Sequence, residues 1–191
     1  MPRAPRIQLP GAVYHVTAIE NFGRTLFAEA NDRTFFRAWL GRTVERYGWI
    51  CESYCVMTTH YHLLIKTPDA NLADGMRYLN GVYGQFANGR RGEYGHVFRG
   101  RYDAKLVESD AHHVEAVRYI ALNPVRAGIR RRPEDWPWSS YREAIGISKA
   151  PDFLSLEELY PLFGKNVVSA RVGLQRFVDE ILVSVRDMPG V

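Results

Sequence analysis

Apolar and polar positions alternate from Ala12 to Ala18, with Val13, His15 and Thr17 on one side and Tyr14, Val16 and Ala18 on the other. That two-residue period predicts a strand, and Asn21-Phe22-Gly23-Arg24 reads as the turn after it. From Asp32 to Tyr47 the period changes: Phe36, Trp39, Leu40, Val44 and Tyr47 follow helical spacing, and Gly48 is placed as a stop. Trp49 to Met57 and His60 to Lys66 read as two strands joined tightly through Thr58-Thr59. A second helical stripe comprises Leu72, Met76, Leu79, Tyr83 and Phe86.

Gly89 to Gly95, rich in Gly and Arg, reads as a mobile loop, and Ala104 to Val107 as a fourth strand. Ser109 or Asp110 can cap a third helix running to about Leu122. Asn123-Pro124 is the expected end, because a residue preceding proline is pushed out of the helical region. Strand, helix, strand, strand, helix, strand, helix is the split βαβ order. It predicts an α+β, ferredoxin-like antiparallel sheet with packed helices. Beyond a bridge containing Trp136-Pro137-Trp138, the residues Leu174, Phe177, Val178, Ile181, Leu182 and Val185 form one apolar face. A C-terminal helical extension docked on the main domain is expected, with a dimer contact as the second reading.

At 191 residues with 46% apolar and 24% charged positions, the chain is long enough for one domain with an appendage. No run of 18 apolar residues occurs, so no membrane span is expected. Only Cys51 and Cys55 are present, too few for a disulfide framework; core thiols in a reducing cytoplasm are expected. The formal net charge of +4 is unevenly placed: Arg90 to Arg132 holds ten Lys/Arg against five Asp/Glu. Tyr94, Phe98, Tyr102 and Tyr119 are interleaved with those cations. Cations attract phosphate and aromatic faces stack on bases, so the stretch suits nucleic acid, although a solvated basic loop has the same composition.

Side chains two apart on a strand share a face, so His60 and His62 present two imidazoles side by side. Such a pair is half of a metal site, and it suits Mg²⁺ only when carboxylate, carbonyl or phosphate oxygens join it. A solvent-facing polar pair is the plainer reading. On the third helix Tyr119 and Asn123 are four residues apart, and His112 and Glu115 fall on the same face, while Val114, Val117 and Ala121 suit the core. An ordinary half-buried tyrosine would have the same spacing. Taken together the residues are chemically coherent. A phenol is a weak nucleophile at neutral pH, and it becomes effective when a cation polarises a phosphodiester held in fixed geometry.

His60-Tyr61-His62 matches the two-histidine motif of the single-tyrosine HUH endonucleases. Tyr14-His15-Val16-Thr17, Tyr54-Cys55-Val56-Met57, Phe98-Arg99-Gly100-Arg101-Tyr102, Arg118 to Gly128 and Trp138-Ser139-Ser140-Tyr141 follow in order. On these motifs the chain resembles the IS200/IS605-like transposases, especially their REP-associated tyrosine transposase branch. The resemblance covers residues from about 11 to 145. It implies a nuclease/transposase domain over residues 1–145, with residues 146–191 as the helical extension. It also implies a divalent metal, Mg²⁺ or Mn²⁺, and cleavage of single-stranded DNA beside REP-like or transposon-end hairpins. His60 and His62 carry over as metal ligands, Asn123 as the helix-borne third ligand, and Tyr119 as the nucleophile forming a 5′-phosphotyrosine.

By charge rather than motif, Arg90, Arg91, Arg99, Arg101 and Lys105 are the candidates to hold the DNA backbone. A homodimer is one arrangement the resemblance allows. Glu20 departs from the family pattern and sets a negative charge where a phosphate contact is expected. In the REP-associated branch a C-terminal extension can lie over the active site, and Leu174 to Val185 is the candidate segment. Two other functions fit the same residues: a non-catalytic nucleic-acid-binding module acting as a repressor or structural binder, and a metal phosphohydrolase in which water attacks.

Overall fold

The computed structural model describes residues 8–21 and 25–186. Its elements are β1 (Ala12–Ile19), α1 (Ala30–Tyr47), β2 (Ile50–Val56), β3 (His60–Thr67), α2 (Leu72–Arg91) and β4 (Asp103–Leu106). These are followed by α3 (Asp110–Arg126), the short α4 (Tyr141–Ala144) and α5 (Val167–Arg186). The strands form one antiparallel sheet in the order β2-β3-β1-β4, the arrangement that the element order predicts. Gly48 closes α1 in the left-handed conformation at φ 62°, where a side chain would be strained.

The sheet separates two apolar layers. On one face Tyr14, Val16, Tyr61 and Leu63 pack with Phe36 and Leu40 of α1 and with Met76 and Tyr83 of α2. Gly75 of α2 is needed there, because a Cβ at that position would stand 2.1 Å from the Trp49 ring. On the opposite face Cys55 and Leu64 pack with Ala116, Val117 and Ile120 of α3, and with Leu174, Val178 and Leu182 of α5. The apolar face of the C-terminal segment is thus buried against this chain's own third helix. Cys51 and Cys55 are free, fully buried thiols, one in each layer, and burial pushes both pKa values up.

Several local expectations change. The stretch expected to be a loop from Gly89 is still helix through Arg91, and only Gly92, at φ 63°, ends it. Arg90 holds it by bridging to Asp32 and Glu29, each at 2.6 Å. Arg91 donates to the carbonyls of Thr25 at 2.6 Å and Leu26 at 3.0 Å. Cations in a final turn also suit the helix dipole.

Asn123-Pro124 does not end α3, which continues to Arg126. Both residues are buried, and the proline falls in the last turn, where its missing N–H removes one bond rather than breaking a long ladder. The last carbonyls of the helix, those of Asn123, Pro124 and Val125, accept from the N–H groups of Ala127, Ile129 and Gly128 respectively. The turn at Asn21-Phe22-Gly23-Arg24 lies, from Phe22 to Arg24, outside the described residues. Glu20 is only 4% exposed and bridges Phe98, so its charge is not displayed on the surface.

Burial of α5 makes it part of the core, with a measurable consequence. Leu174→Ala is expected to cost about 3 kcal/mol in urea unfolding, whereas Val172→Ala, at an exposed position of the same helix, is expected to change stability by less than about 0.5 kcal/mol.

Candidate active site

Register assembles the site. In the antiparallel pairing of β1 with β3, Thr17 stands opposite His62 and Ile19 opposite His60; β4 sets Lys105 opposite His15 and Asp103 opposite Thr17. Opposed residues share a face. His15, Thr17, His60, His62, Asp103 and Lys105 therefore all project from the sheet toward α3. Together with Arg99, Arg101, His112, Glu115, Tyr119 and Arg126 they line a cleft of about 700 Å³.

Both histidines are oriented through Nδ1. That of His60 lies 3.0 Å from Thr59 Oγ1, and that of His62 lies 3.0 Å from both Thr17 Oγ1 and His15 Nε2. A metal on Nε2 requires the proton on Nδ1, and these oxygens and the His15 nitrogen are the acceptors for it. The Nε2 of His62 is buried and has no hydrogen-bond partner, the condition of a ligand atom waiting for an electrophile.

Burial keeps the pair neutral. It holds His62 down to about 2, with His60 and His15 adding to the effect, and it lowers His60 as well. The Asn123 side chain stands beside both imidazoles and opposes both shifts. Its Nδ2 donates to the Tyr119 carbonyl at 2.9 Å, which leaves the carboxamide oxygen as the atom to offer the histidines.

Among the described residues no three His, Cys, Asp or Glu side chains form a metal-binding group. A third protein ligand would therefore be of another type, and Asn123 is the side chain beside both imidazoles. Two neutral imidazoles, an orphaned buried nitrogen and one amide oxygen fit a divalent cation that keeps open positions for phosphate and water.

Tyr119 is brought to the same place by α3. Ser109 accepts a bond from the His112 N–H and caps the helix, while Ala116, Val117 and Ile120 face the core. The opposite face then points Tyr119 into the cleft at 41% exposure. Its ring centre lies 5.5 Å from those of both His15 and His62, and the Arg126 guanidinium stands 4.7 Å over its ring. Two other tyrosines of the matched motifs, Tyr102 and Tyr141, are only 6% and 3% exposed, and neither lines this cleft.

The fold thus collects His60, His62, Asn123, Tyr119, Arg99, Arg101 and Lys105 at one place. Arg90 and Arg91 are not brought there; they bind α1 and the segment before it. Thr17, Asp103 and Arg126 line the cleft without having been singled out from the sequence. Thr17 was visible as the next same-face residue after His15. Arg126 lies seven residues beyond Tyr119, on its helical face, and was hidden by ending the helix too early. The described side chains of α5, through Leu182, do not line the cleft: Arg118 clamps the helix to α3 by stacking 3.9 Å over Phe177 and donating to its carbonyl at 3.2 Å.

Residues 9–123 match the family described as "Transposase IS200 like". A Haemophilus influenzae protein described as "Putative REP-associated tyrosine transposase" is 28% identical over 129 residues, which span 61% of this chain and 73% of that protein. The fold is shared with a solved structure described as "Structure of the REP associates tyrosine transposase bound to a REP hairpin". That likeness has a TM-score of 0.66 at 17% identity and covers 81% of this chain and 92% of the other.

The electrostatics of the cleft can be checked directly. His15 is held down to about 4, by burial first and then by Lys105. In buffer containing EDTA its imidazole is expected to titrate near that value in an NMR pH series. The unfolded chain binds this proton near pH 6.5 and the folded one only near 4, so stability is expected to fall as pH drops through that window. His15→Gln should flatten the slope; an unchanged slope, with His15 titrating near 6.5, would contradict the burial described.

Proposed function

The chain belongs to the IS200-like transposase family, and from that premise we propose that it is a metal-dependent, single-strand DNA endonuclease and strand transferase acting at hairpin-flanked sites through Tyr119. The observation that carries this reading is the convergence of an exposed tyrosine and an amide, one helical turn apart on α3, upon two neutral strand-borne imidazoles. His60, His62 and Asn123 would hold Mg²⁺ or Mn²⁺. When bound, the metal supplies Lewis-acid polarisation of the scissile phosphodiester.

The chain's own residues account for the rest. Arg99, Arg101 and Lys105 line the cleft and make no ion pair with any described residue, so their charge is available to phosphates. Arg126 fixes the Tyr119 ring from one side and the sheet imidazoles bound it on the other. Attack of the Tyr119 oxygen on phosphorus forms an O–P bond as the bond to the 3′ oxygen breaks. The phenolic proton is lost, and the 3′ oxygen leaves as a hydroxyl. The 5′-phosphotyrosine retains the bond energy, so a second 3′ hydroxyl can reverse the step and join strands without a nucleotide cofactor.

Labelled hairpin oligonucleotides from the DNA flanking the gene, incubated with protein and Mn²⁺ and resolved on a denaturing gel, test this. Wild type is expected to give a covalent protein–DNA band that Tyr119→Phe loses entirely. Cleavage persisting in Tyr119→Phe would instead mean that water attacks.

The metal site has its own readout. By electron paramagnetic resonance of free Mn²⁺, His62→Ala should abolish tight binding, and His15→Ala should weaken it by about 10- to 100-fold through loss of Nδ1 support. Equal affinity in all three proteins would remove the histidines from the site.

A further inference from the structure

The cleft holds a histidine that the chemistry above leaves unused. His112 lines it from the first turn of α3, two turns before Tyr119. Reciprocal bonds fix it there: its backbone N–H donates to Ser109 Oγ at 3.2 Å, and its ring Nδ1 accepts from the Glu108 N–H at 3.4 Å. This is a capping box in which an imidazole stands where Glu or Gln is usual. A ring nitrogen that accepts an N–H carries no proton, so the proton of this imidazole is on Nε2, across the ring from the cap. Among the described residues nothing accepts that Nε2–H.

His112 and Tyr119 serve the same part of the cleft. After burial and Lys105, His112 is the remaining group that holds the His15 pKa down, which places the two imidazoles near each other. The Tyr119 ring centre is 5.5 Å from that of the same His15. Long side chains on a helix lean toward its N-terminus, so Tyr119 carries its hydroxyl toward the turn of Glu115 and His112. Glu115 is engaged by Arg118, and a carboxylate offers phosphate no donor. Arg99, Arg101 and Lys105 bring charge on long, rotamer-rich side chains. His112 brings a short donor already locked in orientation, the kind that costs no reorganisation as charge develops.

We propose that His112 is a further catalytic residue: its Nε2–H donates to a non-bridging oxygen of the phosphodiester that Tyr119 attacks. The imidazole keeps its proton throughout, and no bond forms or breaks at it. The hydrogen bond tightens as the Tyr119 oxygen closes on phosphorus and charge gathers on the non-bridging oxygens. The assignment rests on the reading of the cleft as the place where the phosphotyrosine forms.

Side-chain amides separate the two ring nitrogens, because Asn puts its amide near the place of Nδ1 and Gln near that of Nε2. The full chain is assayed with Mn²⁺ and the labelled hairpins. His112→Asn keeps the cap and lacks the donor; it is expected to melt within about 1 °C of wild type and to form the Tyr119 adduct about 100-fold more slowly. His112→Gln has the donor and lacks the cap; it is expected to melt about 2 °C lower and to recover most of that rate. A cap alone gives the reverse order, so Asn at the wild-type rate, or rates that follow melting temperature, overturns the proposal.

A hairpin with sulfur in place of one non-bridging oxygen of the scissile phosphate gives a second readout. One of its two diastereomers is expected to slow wild type about tenfold more than it slows His112→Asn, since sulfur accepts the Nε2–H poorly. Equal slowing of both proteins by both diastereomers overturns the assignment while leaving the adduct chemistry intact. Absence of any adduct in wild type sinks the phosphotyrosine reading, and the role of His112 with it.

Discussion

The site depends first on the register between β1 and β3. Thr17 opposite His62 and Ile19 opposite His60 put His15, Thr17, His60 and His62 on the face toward α3, while Val16, Ala18, Tyr61 and Leu63 enter the layer under α1 and α2. A slip of one residue would turn His15 and Thr17 into that apolar layer and set Val16 against His62. The hydrophobic pattern that folds the sheet is therefore the same pattern that points the imidazoles. The adjacent Thr59 holds the His60 ring, but the groups that hold the Nδ1 atom of His62 come from β1.

The second requirement is that α3 stay at a fixed height over the sheet. Ser109 caps its start, His113 pairs with the buried Glu52 of β2, and Ala116, Val117 and Ile120 pack with Cys55 and Leu64. Arg118 fastens the far side to α5. An ordinary sheet with two helices would leave this face open to water. Here α5 supplies apolar cover on the back of α3, so that only the strip bearing His112, Glu115, Tyr119 and Arg126 remains wet. In the described residues the extension thus acts as a brace for the helix that carries the tyrosine.

Strong periodicity made most of the fold legible. The strands, α1 and the apolar stripe of α5 are all patterned over many residues, and the sheet order follows from their sequence. The two helix ends that were misjudged share a cause. Gly89 and Asn123-Pro124 carry breaker chemistry locally, and tertiary contacts override it: Arg90 bound to Glu29 and Asp32 beside the first, burial for the second. Extending α3 by one turn was what it took to see Arg126. The support given by Thr17 and His15 was not legible for another reason: it is a cross-strand relation, and only the register states it.

Charge composition shows the same limit in sharper form. The ten cations between Arg90 and Arg132 look alike as a count, but their environments divide them. Arg90 is spent on two carboxylates of its own chain, and Arg118 on Glu115 and a ring of α5. Arg132 is spent on Glu134. Arg99, Arg101 and Lys105 instead line the cleft that Tyr119 enters, without an acidic partner among the described residues. An arginine already paired gives up that pair to bind phosphate, so its net contribution is small; an unpaired one in a cleft with low-dielectric walls contributes nearly its full attraction. The cations free to meet phosphate in the cleft are consequently fewer than the basic stretch holds: Arg99, Arg101, Lys105 and, beside the Tyr119 ring, Arg126.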